Sequence, residues 1–232
     1  MIFKKTSVLR VVTLTLLVIF FSARAPGQNS STGPRGFVRL VNAVAIGTGK
    51  LDMLIDGIEV RAEGYKFGDV TGGIPRKPGA YQVSFRREGV KSGQTKVLLE
   101  KNETTTLIPF AELIPATPDK EAYWTIRILR LKQHENKKER TATIINVTRS
   151  PELKVEIRQK DGTWEALFVK RLGLERTVIQ QSTGYLPLRS GGKDLESLSV
   201  GNSGNFVAVV YEDANGTIRS QNFQDFKYLS AE

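Results

Sequence analysis

Apolar and polar residues alternate with a period of two along much of this chain. Leu51, Met53 and Ile55 alternate with Asp52, Leu54 and Asp56, and Tyr81, Val83 and Phe85 alternate with Gln82, Ser84 and Arg86. That period sends one set of side chains inward and the other to water, the pattern of a strand with one wet face. Residues 105–108 and 123–132 are rich in β-branched and aromatic types, which favour strands. Asp56-Gly57, Asp161-Gly162 and Asn215-Gly216 are dipeptides suited to positive φ and mark hairpin turns. Beyond residue 27 no stretch carries a helical stripe. The pattern predicts an all-β chain of two tandem immunoglobulin-like antiparallel β-sandwich domains.

Internal repetition supports the duplication. Phe37-Val38-Arg39-Leu40-Val41-Asn42-Ala43 is answered by Ala142-Thr143-Ile144-Ile145-Asn146-Val147, with the asparagines 104 apart (146 − 42). The Asp-Gly turns that follow, at Gly57 and Gly162, are 105 apart (162 − 57). Gly79 to Phe85 also matches Gly204 to Val210, at a spacing of 125 (204 − 79), which predicts about twenty extra residues in the second copy between 183 and 204. The expected layout is a first sandwich at 36–132, a charged linker at 133–139 and a second sandwich at 140–232. Proteolysis in that linker is expected to release two stable fragments.

The first 27 residues read as a secretory leader. Lys4, Lys5 and Arg10 precede an apolar run through Phe21, followed by Ser22, Ala23 and Ala25. The run is about half the ~20 residues that span a bilayer, so cleavage is favoured over a retained signal anchor. Ala25-Pro26-Gly27 fits a small-x-small cleavage site and places the mature start at Gln28, with 28–35 a flexible segment. Residues 1–27 hold four basic residues and no acid, so the formal charge falls from +10 to +6 (10 − 4) on cleavage. The expected location is the periplasm or the extracellular space, which disfavours nucleic acid as a partner. No transmembrane segment is expected to remain.

Composition narrows the chemistry. With no cysteine and one histidine, His134 in the charged linker, thiol catalysis, structural zinc of the cysteine type and a histidine-based triad have little to draw on. Ser190-Gly191-Gly192-Lys193 has Ser-x-x-Lys spacing, but two central glycines oppose the helix that would align a nucleophile with its base. Gly47-Thr48-Gly49-Lys50 lacks the flanking residues of a phosphate-binding loop. Asn29, Asn102, Asn146 and Asn215 begin glycosylation sequons, although Asn146, as part of the repeat, reads better as a structural residue. The expectation is no enzyme, no cofactor and no metal.

Binding is left to charge and aromatics. Arg86, Arg87, Lys91 and Lys96 cluster on one expected hairpin, and Lys170, Arg171 and Arg176 lie in the second copy. These are the candidate contacts for a polyanion, such as an acidic polysaccharide, or for a partner protein; a solvated strand face is the alternative. Trp164 follows a turn and stands open between sugar stacking and the core, whereas Trp124, inside a strong strand, reads as core.

The strings Phe37 to Ala43, Pro78 to Val83 and Leu99 to Leu107 resemble a widespread extracytoplasmic β-sandwich family of unknown function, DUF4397, and the second copy is similar at Ile145-Asn146 and Gly204 to Val209. Across residues 36–232 the layout resembles the periplasmic accessory proteins of alginate O-acetylation. That resemblance implies a non-catalytic adaptor linking a membrane acetyl-group exporter to periplasmic acetyltransferases, and it supplies no catalytic residue. The alternative is an extracytoplasmic carbohydrate- or surface-binding module.

Overall fold

The computed structural model describes residues 33–135, 139–180 and 183–232, and every regular element in them is a β-strand. The leader expected at 1–27, residues 28–32 and the linker centre at 136–138 lie outside the described residues.

The first half contains β1 (Gly36–Leu40), β2 (Thr48–Ile55), β3 (Ile58–Glu59), β4 (Ile74–Arg76), β5 (Gly79–Glu88), β6 (Val90–Leu99), β7 (Thr104–Ile114) and β8 (Tyr123–His134). Their pairing gives the orders β3-β2-β5-β6 and β8-β7-β1-β4, joined by a single parallel bridge at Lys91 and Thr125. The second half contains β9 (Thr141–Asn146), β10 (Glu152–Arg158), β11 (Trp164–Lys170), β12 (Leu174–Val178), β13 (Gly184–Leu186), β14 (Leu188–Ser190), β15 (Lys193–Asp194), β16 (Leu198–Val200), β17 (Asn205–Glu212), β18 (Ile218–Asp225) and β19 (Tyr228–Ala231). Its orders are β11-β10-β14-β15 and β12-β9-β17-β18. Strand for strand, these repeat the first half. The additions are the β13–β16 pair and β19, which leaves the second half and lies antiparallel on the end of β8.

Four sequence expectations change. The sheets are not wholly antiparallel, because β1 runs parallel to β7 and β9 runs parallel to β17. The likeness of Gly79 to Gly204 joins strands that are not counterparts: β17 occupies the place of β7, and the counterpart of β5 is the short β14. The first residues of β7 and β17 are 101 apart (205 − 104), so no twenty-residue insertion precedes β17. Finally, Gln133 and His134, expected in the linker, end β8 and pair with Leu229 and Tyr228.

Three apolar clusters hold the chain. One lies between the two sheets of the first half, around Leu40, Met53, Phe85 and Leu107. Another lies between those of the second, around Ile144, Ile157, Leu188 and Phe206. The third joins Ile108, Phe110 and Leu131 to Ile145, Val207, Val209 and Leu229, across the two halves. It explains why every residue of β9, and all of β17 but its last, is buried: one face of each strand lines its own half and the other meets the neighbouring half. Gly33–Glu232 accordingly forms one compact unit.

Polar ties reinforce the joint. Arg39 donates to Asp225 at 2.7 Å, their side chains 14% and 1% exposed, and Gln133 Nε2 donates to the other carboxylate oxygen at 2.7 Å. The two repeated asparagines act alike within each half. Asn42 Oδ1 accepts from Val44 N–H at 3.1 Å, and its Nδ2 donates to Tyr65 O and Lys66 O. Asn146 Oδ1 accepts from Thr148 N–H at 2.9 Å, and its Nδ2 donates to Val169 O and Ser150 O. In each copy a fully buried amide satisfies backbone groups left over where a strand ends.

Candidate functional site

The two basic clusters do not form the surface that their spacing suggested. In the β5–β6 hairpin Gln82 faces Lys96 and Ser84 faces Gln94, so the even-numbered residues share the outer face. Arg86 and Lys96 are exposed on it, but Arg86 lies four residues along the strand from Gln82, a separation of about 13 Å from Lys96. Arg86 also stands opposite Asp52 in the register of β2. Lys91, exposed at the hairpin end, sits 5.2 Å from the centre of the Tyr123 ring. Arg87 turns inward and donates to Val44 O and Gly47 O; burial holds its pKa below the usual arginine range. It clamps the loop between β1 and β2. Gly47 has φ of 93°, and an added Cβ would come 2.3 Å from Glu88 O, so this clamp needs glycine.

The second-half cations divide in the same way. Lys170 is exposed at the end of β11. Arg171 donates to Thr148 O at 3.0 Å and to Glu112 at 2.9 Å, which ties the halves together. Arg176 donates to Leu229 O at 2.9 Å and stacks 4.2 Å from the Tyr228 ring centre, with burial lowering its pKa. Arg87, Arg171 and Arg176 are therefore structural forks, a use that arginine's several fixed donors favour.

Trp164 is half-buried at the start of β11, with the Arg189 guanidinium 4.0 Å from its ring centre. Glu156 fixes that guanidinium at 2.9 Å and also accepts from Lys154 at 3.1 Å; these two bonds hold its carboxyl below the usual range. One face of the Trp164 ring is thus covered. Trp124 is half-buried against the first-half core and borders a cavity of 60 Å³, room for a few waters. Ser190 is buried and donates to Lys154 O at 2.9 Å, while Gly191 and Gly192, both at positive φ, form the turn that pairs Ser190 with Lys193. Asn146 is wholly buried, whereas Asn102 and Asn215 are exposed, and Asn29 lies outside the described residues. Among the described residues no cluster of His, Asp or Glu is placed to hold a metal ion.

Sequence reasoning missed a sizeable concavity among the described residues. A groove of 640 Å³ runs beside β8 where the halves meet. Gln94, Thr95 and Arg127 line it from the first half, and Leu172, Ala231 and Glu232 from the second. On this side β8 pairs in register with β6 only at the Lys91 bridge and with β19 only from Leu131 onward, so residues 126–129 are left without a ladder partner there, although Gly93 of β6 packs closely on Ile126. The volume lies within the ~300–1,000 Å³ of ligand-binding sites. Nothing in the sequence marks it, because its walls come from segments up to 140 positions apart (232 − 92).

The chain matches no protein-family model, and no curated protein matches it.

Proposed function

We propose that this chain is an exported, non-catalytic adaptor built as two tandem immunoglobulin-like sandwiches, which docks extracytoplasmic partner proteins and assists exopolysaccharide modification of the alginate O-acetylation type, or assembly. The groove beside β8 carries this reading, because its walls come from both halves and an occupant there would contact both at once. A segment of a partner protein laid along β8 would find apolar wall at Leu172 and charge at Arg127 and Glu232. The repeated strand order agrees with the two-copy layout on which the adaptor resemblance rests.

A photo-crosslinking residue at Gln94 tests the reading in the source organism. It should yield an adduct whose partner, identified by mass spectrometry, belongs to the polysaccharide machinery. Equal yields of that adduct from a probe at Lys160, in the distant β10–β11 turn, would contradict docking in the groove. Purified residues 28–232 should release no acetyl group from ester substrates. Turnover that Ser190→Ala removes would overturn the non-catalytic assignment.

The rival carbohydrate reading rests on the exposed Arg86, Lys91 and Lys96. Exposed ion pairs contribute only ~0.2–1 kcal/mol each, so a polyuronate held there should bind weakly and be lost as salt rises from about 0.05 to 0.5 M. Calorimetry that finds tight, salt-resistant polymer binding would favour the rival.

A further inference from the structure

β11 is the outermost strand of its sheet, and only β10 pairs with it among the described residues. Three other edges are blunted, β3 and β15 by being two residues long and β4 by Pro75, while β12 and β18 also lie at sheet edges. β11 has seven residues, no proline and an unbroken register from Trp164 to Lys170. Such an edge is a template for another strand. Its inward acid, Glu165, accepts from Gln159 and from Thr177 Oγ1 at 3.0 Å, so it does not guard the edge.

The register shows which backbone groups are open. Gln159 N–H donates to Thr163 O, and Arg171 N–H donates to Pro151 O. Odd-numbered residues of β11 therefore turn their amide groups to β10, and Trp164, Ala166 and Phe168 turn theirs outward, as does the N–H of Lys170, whose carbonyl accepts from Gly173 N–H. The side chains of those four lie on the outer face, where Phe168 is 56% exposed.

We propose that β11 pairs antiparallel with β11 of a second copy of this chain, about a two-fold axis at Leu167, to join two four-stranded sheets into one of eight. The axis follows from the strand itself. It sets Trp164 beside the second copy's Lys170 and Ala166 beside the second copy's Phe168, and it repeats both contacts by symmetry. Ala166 and Phe168 have open amide groups and form two hydrogen-bonded pairs of two bonds each, and each Lys170 N–H donates to the second copy's Trp164 O. Each large aromatic meets a small residue or a cation, which a cross-strand neighbour of this kind favours. An isologous contact closes at two copies and leaves no further edge of β11 exposed.

Sedimentation equilibrium from about 10 μM to about 1 mM tests the pairing. The wild-type chain should approach twice its monomer mass over that range. Ala166→Pro removes an N–H that β10 does not use, so the variant should keep its fold and remain monomeric throughout. Phe168→Lys, which sets like charges near the axis, should do the same. Ile58→Lys alters another exposed apolar residue, 72% exposed and outside β11, and should associate as the wild type does. A wild-type chain that stays monomeric at about 1 mM, or association that survives both β11 substitutions, would overturn the proposal.

Discussion

Asn42 and Asn146 show how a single buried side chain closes a strand end, and their equivalence was visible in the sequence as a repeated Val-Asn and Ile-Asn step. Replacing either with alanine strands buried backbone donors and acceptors, so each change should cost ~1–3 kcal/mol in urea unfolding. Similar loss at both sites would bear out their common role. Asp225 is a sterner case. Asp225→Ala leaves the Arg39 cation without its acceptor in the joint and should cost ~3–5 kcal/mol, much of it recovered in Arg39→Met/Asp225→Leu. A double variant no more stable than the single one would contradict this. Such roles were not legible beforehand: the string Arg86-Arg87 announces charge, but the carbonyls that Arg87 meets lie 40 and more positions away. At acid pH Asp213 should matter. The Thr217 N–H, with help from Arg219 and the Asn215 N–H, holds its carboxyl below the ordinary 3.8. A lowered folded pKa gives stability that is present above the unfolded value and lost as pH falls through the folded one. Asp213→Asn should therefore flatten the acid limb of Tm against pH below about 4, and an unchanged limb would count against it.

At the level of strands, alternation found β2 and β5 because one face of each is partly wet. It was less informative for β9 and β17, which read as continuous apolar runs because both faces are covered. The third core is the physical reason, and it can be tested with adjacent residues. Ile144 faces the core of the second half and Ile145 the core between halves, and both are fully buried. Ile144→Ala and Ile145→Ala should each cost ~2–5 kcal/mol. A cost within ~0.5 kcal/mol at Ile145, the range of a surface substitution, would mean that the halves do not share a core. The repeat itself was legible through the asparagines and the Asp-Gly turns. The third match failed because a Gly followed by aromatic and β-branched residues opens β5 and β17 alike, and strand composition does not record which neighbour a strand pairs with. The groove beside β8 and the open edge of β11 were hidden for the same reason, since edges are set by pairing.

Over the whole molecule, two copies of one strand order join into a single body. β19 reaches back to β8, Arg39 and Arg171 bridge the halves, and a third core fills the space between them. The proposed adaptor role depends on that union, because the groove exists only while the halves stay together. A cut in the linker is therefore not expected to release independent fragments. The direct test is to place a protease site between Glu135 and Glu139, cleave the folded protein and follow it by size-exclusion chromatography with light scattering under native conditions. The cleaved chain should elute unchanged in mass, and its two pieces should separate only on denaturation. Two folded pieces of about half the mass, separating without denaturant, would contradict it.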